Sequence, residues 1–377
     1  MSSLASPAGE WIVSTMAHTL SSLTSLKLSR WIRVCTGGLL ILFSAGAFLM
    51  ERQGAEETLQ HAEDQSETMA RSLAQHAGDT FQMADLALVS LSRILGTEPP
   101  TRSKLLSVQT DMHELLSRVP RLHGLAYYEE SGWRLAGSEK NANEVVNESR
   151  SAFFQFHRRQ TQTGLFVGPA IREADGTWVI TISRRIAKED GSFNGVLVAT
   201  IESRYFAEFY QSFDTGIDVR VVMLGSDGAV MARNPYDPLL IGKSVANTAV
   251  VSAVRAGDRS GVFRMPSPLD GVERLSAFHV VEGLGVTIVY SLSRKTALAS
   301  WHQGIYGRAA VFILLATALV LGGLRLAQQA ERRHASEKSL LQLSLTDSLT
   351  GLLNRRGFDQ AMSMAWRQSC EAGMPLS

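Results

Sequence analysis

The sequence predicts an α+β fold: one long helix and two tandem antiparallel-sheet modules, placed between two apolar segments long enough to cross a membrane. Three observations carry this. Two apolar runs bracket the middle of the chain, a helical stripe of apolar residues follows the first run, and the segment beyond the stripe repeats itself at a spacing of 96 to 97 residues. A chain of 377 residues has room for two or three ordinary domains. Charge is nearly balanced, 37 basic residues against 36 acidic, so no global field favours nucleic acid as a partner and specificity must lie in local pattern. The two cysteines, Cys35 and Cys370, stand at opposite ends of the chain, far from any spacing that ligates zinc or builds a disulfide scaffold. No metal site is expected.

The first apolar run, WIRVCTGGLLILFSAGAFLM from Trp31 to Met50, holds one charge, Arg33, near its start, where a long side chain reaches the headgroups. A signal peptide would need a short basic leader and a small-residue cleavage site, but about thirty residues precede this run and FLMERQ ends it. The second run, GIYGRAAVFILLATALVLGGLRLA, has an uncharged centre from Ala309 to Leu324, with Trp301 and Tyr306 as interface anchors. Two spans are therefore expected, residues 31–50 and 304–325. Lys27, Arg30 and Arg33 cluster at the start of the first, and Arg325, Arg332 and Arg333 follow the second. Positive residues stay inside, so both termini are expected in the cytoplasm, residues 1–30 included, and residues 51–301 on the far side, the periplasm of a bacterium. That segment contains no cysteine.

After the first span, Ala55, Leu59, Ala62, Met69, Leu73, Ala77, Phe81, Ala84, Leu88, Leu91 and Leu95 recur along one helical face. Some 45 residues at 1.5 Å each make a helix of roughly 65 Å, ending before Pro99 and Pro100. That length suits a stalk lying against everything built above it; the alternative is a helix pair broken near Gly78.

Beyond the stalk, HGLAYYEESGWRLAGS reads as strand, Ser131-Gly132 turn and strand, and VRVVMLGSDGAVMARN has the same form around Asp227-Gly228. The two turn glycines stand 96 residues apart. Further on, TGLFVGPAIREADGTWVITISRRI with GVLVATIES is echoed by SGVFRMPSPLDGVERLSAFHVV with GVTIVYSLS, with Gly164 and Gly261 97 residues apart. A shared offset implies two similar sheet modules in tandem, at about residues 100–210 and 216–293.

A long helix rising from a membrane span, two PAS-like modules and a return to a second span resemble the double Cache (PDC-type) sensor domains of bacterial receptors, over roughly residues 52 to 295. The run from Phe153 to Tyr210 looks like the distal module of the version commonly joined to diguanylate cyclases. The resemblance implies a small-ligand pocket in that module and a homodimer. The residues are compatible with a carboxylate ligand. Along Trp178 to Arg185, alternation places Trp178, Ile180, Ile182 and Arg184 on one face and Val179, Thr181, Ser183 and Arg185 on the other, so only one of the two arginines points inward. An inward guanidinium would hold a carboxylate bidentately, with His157, Arg158, Tyr127 and Trp178 as wall residues; the alternative is that these arginines are solvated or paired with nearby acids. Cache domains that bind amino acids resemble each other in placing an Asp, which takes the ligand's amine, where this chain has Thr200. The departure favours a simple organic acid over an α-amino acid.

Residues 326–345 lack Gly and Pro and are rich in helix formers, so a signalling helix is expected to continue from the second span. Then Asp347, Leu349, Thr350, Gly351, Leu352, Asn354, Arg355, Arg356 and Phe358 match D-x-L-T-G-L-x-N-R-R-x-F, the opening signature of the GGDEF domain of diguanylate cyclases. In that family these are positioning residues, and none is expected to be catalytic. The metal carboxylates, the G-G-[DE]-E-F loop and the guanine-reading pair lie downstream of the signature. After Phe358 the sequence offers only DQAMSMAWRQSCEAGMPLS. Residues 346–377 are thus read as the first part of a GGDEF domain: no cofactor is expected in this chain, Mg²⁺ and GTP belong to a complete domain, and the chain alone should not make cyclic di-GMP. The expected function is the sensor portion of a diguanylate cyclase at the bacterial inner membrane. The alternatives are a non-catalytic receptor, or the input half of a histidine kinase or chemoreceptor.

Overall fold

The computed structural model describes residues 8–98, 100–138, 145–160, 164–213, 218–345, 347 and 352–372, with backbone only for 8–27, 337–339, 341–344, 368 and 370–372. The chain divides into two compact units, Gly54–His302 and a second made of Met1–Gln53 with Gln303–Ser377. It is α+β.

Helix α1, Ala8–Leu95, is continuous through Gly78, which rules out the broken helix pair. Glycine is used there for closeness, because a Cβ would sit 3.3 Å from the Val281 side chain. Helix α2, Arg102–Arg118, follows, its first turn capped by the Thr101 hydroxyl, which accepts from Lys104 N. The first sheet then forms from β1 (Gly124–Glu129), β2 (Arg134–Gly137), β3 (Leu165–Arg172), β4 (Trp178–Ala187) and β5 (Phe193–Glu202), with helix α3 (Ala152–Arg159) between β2 and β3. Helix α4 (Ser203–Gln211) leads to the second sheet: β6 (Val219–Leu224), β7 (Val230–Asn234), helix α5 (Ala249–Ala256), β8 (Ser260–Pro266), β9 (Glu273–Val281) and β10 (Val286–Ser293).

The strand orders are β2-β1-β5-β4-β3 and β7-β6-β10-β9-β8, the same topology twice. Both repeat glycines sit in hairpin turns at positive φ, 92° for Gly132 and 80° for Gly228. A Cβ at Gly132 would lie 2.6 Å from Ser149 N, and one at Gly228 2.9 Å from the Ala246 backbone, so each turn is pressed against the segment that follows it. The bridges Trp133 to Asn147 and Ala229 to Ser244 close the two modules in the same way.

One core joins α1 to the inner faces of both sheets. Leu73, Ala77, Phe81, Ala84, Leu88, Leu91 and Leu95 pack with Ile180, Ile182, Leu197 and Ala199 of the first sheet and Val221, Met223, Ala277 and Ile288 of the second. Each outer face carries its own small cluster: Ala126, Tyr128, Phe153, Phe154, Val196 and Val198 on the first, and Val222, Leu224, Val250, Phe278 and Val289 among others on the second.

In the other unit, helix α6 (Arg294–Ala297) having ended the sheet domain, α7 (Ala299–Leu345) carries the second apolar run. The apolar parts of α1 and α7 are long enough to cross a membrane and are not buried in the protein. Leu39, Ile41, Leu42, Phe48, Val311, Ile313 and Leu314 present their side chains outward, an apolar surface that suits lipid better than water. Between the two helices, Phe43 stacks on Phe312 at 4.9 Å, and Arg308 grips Glu51 with two bonds of 2.6 and 2.9 Å.

Helix α8, Arg355–Ala372, begins inside the opening signature. Asp347 N donates to Leu352 O and Asn354 N to Leu345 O, while the Asn354 side chain accepts from Gly357 N at 3.0 Å and caps the helix. Leu349, Thr350 and Gly351 lie outside the described residues.

Candidate functional site

The expected wall residues divide between two faces and the module's rim. Arg184 points inward, to α1: its Nε and Nη2 donate to the two carboxylate oxygens of Asp85 at 2.7 and 2.8 Å. Its carboxylate is thus built into the protein, and Arg184 is not the ligand-facing arginine. Tyr127 is buried on the same inner face, where its hydroxyl donates to Asn194 O and burial pushes its ionisation up to about 12. Trp178 packs against the second sheet's outer cluster, beside Gly242. Arg158 is exposed near the end of α3. Only His157 and Arg185, of the six, meet on the outer face.

The α3 face that carries Phe153, Phe154 and His157 lies on this sheet because these residues share one side of the helix, and Ser151 caps its start by accepting from Phe154 N. His157 is fully buried. Its Nε2 is 3.0 Å from Ser183 Oγ, and Ser183 in turn donates to Phe166 O at 3.3 Å. Burial, with the charges of Arg185 and Arg184 adding to it, holds the imidazole down at about 4, so the ring is neutral at ordinary pH.

Arg185 is 5% exposed. Its two Nη atoms both donate to Gly191 O at 3.1 Å, and the guanidinium lies over the Phe193 ring. No carboxylate pairs with it among the described residues. Among the described residues, buried Arg185 Nε, His157 Nδ1 and Thr200 Oγ1 on this face lack a hydrogen-bond partner. The strands align Thr200 with Thr181, and Ser183 with both Phe166 and Val198. Aromatic rings of Tyr128, Phe153, Phe154, Phe166 and Phe193 close the surroundings.

An unpaired buried guanidinium and unpaired buried oxygen and nitrogen atoms are expensive, and such groups ordinarily find partners. Together they make a site with spare donors, a spare acceptor and one uncompensated positive charge. Sequence reasoning does not single out Ser183 or the aromatic lining. The alternation of β4 places Ser183 beside Arg185, but nothing in the sequence joins that strand to His157.

At the end of this sheet His123 bridges two carboxylates, Glu202 at 2.8 Å and Glu173 at 3.2 Å. The Glu173 hydrogen bond is the main force pushing its ionisation up to about 9. Among the described residues, no group of three or more His, Cys, Asp or Glu side chains is placed to hold a metal ion.

Residues 50–301 match the family described as Cache domain. No curated protein is close enough in sequence to count as a match. Among solved structures, the chain is similar to the extracellular domain of a protein described as a histidine kinase, rpHK1S-Z16, at 28% identity and a TM-score of 0.56, covering 62% of this chain and 95% of that one. It also shares its fold with the periplasmic sensory domain of the Campylobacter jejuni chemoreceptor Tlp1, at 11% identity and a TM-score of 0.52, covering 64% and 98%. A second domain described as from a histidine kinase gives 13% identity, a TM-score of 0.52, and 66% and 98% coverage. With two like sheets on one long helix, an underpartnered polar face on the first, and a family match over most of its length, the chain belongs to the Cache domain family of sensors.

Proposed function

We propose that this chain is the membrane-anchored sensing portion of a diguanylate cyclase. It binds a small organic acid on the periplasmic side, on the outer face of the first sheet, and regulates the joining of two GTP molecules into cyclic di-GMP. Arg185 carries the ligand half of this reading: a buried guanidinium without a carboxylate is stabilised by an anion that brings one. The output half rests on Asp347 to Phe358, which resemble the GGDEF opening signature and within which Asn354 caps the start of α8. Basic residues at the start of the first span and after the second support cytoplasmic termini. The protein works as a homodimer, whose paired helices carry the signal.

The test is a fusion of a complete GGDEF body after Ser377, with cyclic di-GMP measured in cells as organic acids are supplied. Output that changes with an acid, and stops changing in Arg185→Ala, supports the reading. Output insensitive to Arg185→Ala with every acid that alters it removes the assigned site. Reporter fusions at residues 150 and 340 should report opposite compartments.

A second reading has one observation in its favour: two of the similar structures are described as histidine kinase domains and another as a chemoreceptor domain. The same input could then drive a kinase or a methylation helix. Reading the gene past codon 377 separates the two, since a continuing frame with G-G-[DE]-E-F supports the cyclase.

A further inference from the structure

On the outer face of the first sheet, the hydrogen of the Ser183 hydroxyl decides which polar atoms are left unused. A serine hydroxyl has one hydrogen to give. With that hydrogen on Phe166 O, 3.3 Å away, the Ser183 oxygen is left to accept and His157 Nε2, 3.0 Å away, carries the ring hydrogen and donates; we assign this tautomer, which the Ser183→Ala variant below tests. The ring is neutral. A neutral imidazole with its hydrogen on Nε2 has a bare lone pair on Nδ1, and that atom is buried without a partner. In that tautomer the outer face offers one unused acceptor, His157 Nδ1, and one unused charged donor, Arg185 Nε–H. Ser183 and Arg185 are two residues apart on the same face of β4, so the strand positions beneath the two groups are about 7 Å apart, a span that a small ligand can bridge.

We propose that this face takes a small hydroxylated carboxylate, whose carboxylate accepts from Arg185 Nε–H and whose hydroxyl donates to His157 Nδ1. This rests on the reading of the outer face as the ligand site. A carboxylate without a hydroxyl leaves the His157 lone pair buried and unsatisfied, which costs more than the bond is worth in water. An ammonium group in place of the hydroxyl would satisfy Nδ1, but it would add a second positive charge beside Arg185 on a face that lacks a free carboxylate among the described residues. Glu202, the acid next along β5 from Thr200 on the same face, is taken by His123 at 2.8 Å. Ser183 is a positioning residue: it touches His157 and sets which ring nitrogen is bare.

The experiment measures calorimetric binding to the full chain in lipid nanodiscs with three matched pairs: lactate and propionate, 3-hydroxybutyrate and butyrate, malate and succinate. L-alanine serves as the amine analogue of lactate. At least one hydroxy acid should bind about tenfold tighter than its partner, the worth of one buried hydrogen bond, and L-alanine should bind more weakly than lactate. Ser183→Ala frees the imidazole to move its hydrogen to Nδ1, so it should collapse the hydroxyl preference to near parity while the partner acid keeps its affinity. Arg185→Ala should abolish binding of both, and Arg185→Lys should retain part of it. Equal or tighter binding of every non-hydroxylated partner, tighter binding of L-alanine than of lactate, or a preference untouched by Ser183→Ala overturns the proposal. If none of the seven compounds binds, the hydroxy-acid class is also overturned. The site reading then survives only if a wider metabolite screen finds a compound that needs Arg185, and it falls if what binds is indifferent to Arg185→Ala.

Discussion

The outer faces of the two sheets are built on one plan and end in opposite states. Register makes them comparable: β1 aligns Ala126 with Gly137 where β6 aligns Val222 with Arg233, and Gly124 faces Thr200 where Arg220 faces Ser291. The threonine pair Thr181 and Thr200 corresponds to Ser276 and Ser291. In the second sheet those two hydroxyls bond each other at 2.9 Å, and the buried Arg274 is held by both Asp218 and Asp270 at 2.8 Å. Arg233, though its Nε lacks a hydrogen bond, has Asp237 at 3.6 Å. In the first sheet, among the described residues, Thr200 Oγ1 has no partner and Arg185 has no acid. Two faces with one topology thus differ in whether their polar groups satisfy each other. The face that leaves its groups unsatisfied is the one fit to bind something.

The sharpest way to break this contrast is to remove the two buried arginines in turn. Arg274→Met takes Asp270 out of its ion pair and leaves Asp218 with Arg220 alone at 3.2 Å, and should destabilise the domain by about 1–3 kcal/mol, seen as a loss in the denaturant midpoint. Arg185→Met removes a charge that the empty fold does not need, so it should leave the midpoint unchanged or raise it. Equal losses from both would mean that Arg185 has an internal counter-ion after all.

The repeat itself is tested at its turns. Gly132→Ala and Gly228→Ala both put a Cβ at positive φ against backbone, and each should cost about 1–3 kcal/mol. A harmless substitution at one of them would show that the two hairpins are not equivalent.

Acid should act on the first sheet through His157. Its pKa in the fold is about 4, below the ordinary 6.5, so between those values the unfolded chain binds a proton that the fold excludes. Stability is complete above about pH 6.5 and falls as pH drops toward 4, by roughly 3 kcal/mol from this group. His157→Phe should flatten that limb of the midpoint–pH curve. His76, also held at about 4 by burial against α4, contributes in the same direction and remains in the variant. His123 runs the other way: its pKa is raised to about 9, so its contribution is complete below about pH 6.5 and is lost as pH rises through 9. His123→Gln should remove the alkaline loss and leave the acid limb in place.

The smallest contrast is between the hydroxyl pairs. Ser291→Ala breaks a satisfied bond and should cost about 1 kcal/mol, whereas Thr200→Val removes an unsatisfied oxygen and should cost nothing measurable.

How far the site is legible in the sequence follows from particular residues. Alternation along β4 is a local rule, so the order of residues alone puts Arg184 and Arg185 on opposite faces. Which face is the core depends on where α1 lies, and that requires the whole sheet. Asp85 is 99 residues from Arg184, and no local pattern links them. Tyr127 and Trp178 read as wall residues because aromatic rings suit a pocket, but the same rings suit a core and a joint between modules, and these are the places they occupy. His157 is legible only without its partner, since Ser183 is 26 positions further along the chain and all of β3 lies between them.

The sequence by itself determined the tandem modules, the continuous stalk stripe and the two apolar runs, because periodicity and repetition are properties of neighbouring residues and of copies. Only the tertiary structure decided which arginine is neutralised from within, which ring nitrogen is bare and which of the two like faces has groups left over. Those outcomes depend on who meets whom across the fold. A hydrogen bond is satisfied or not only once both partners have been brought to one place.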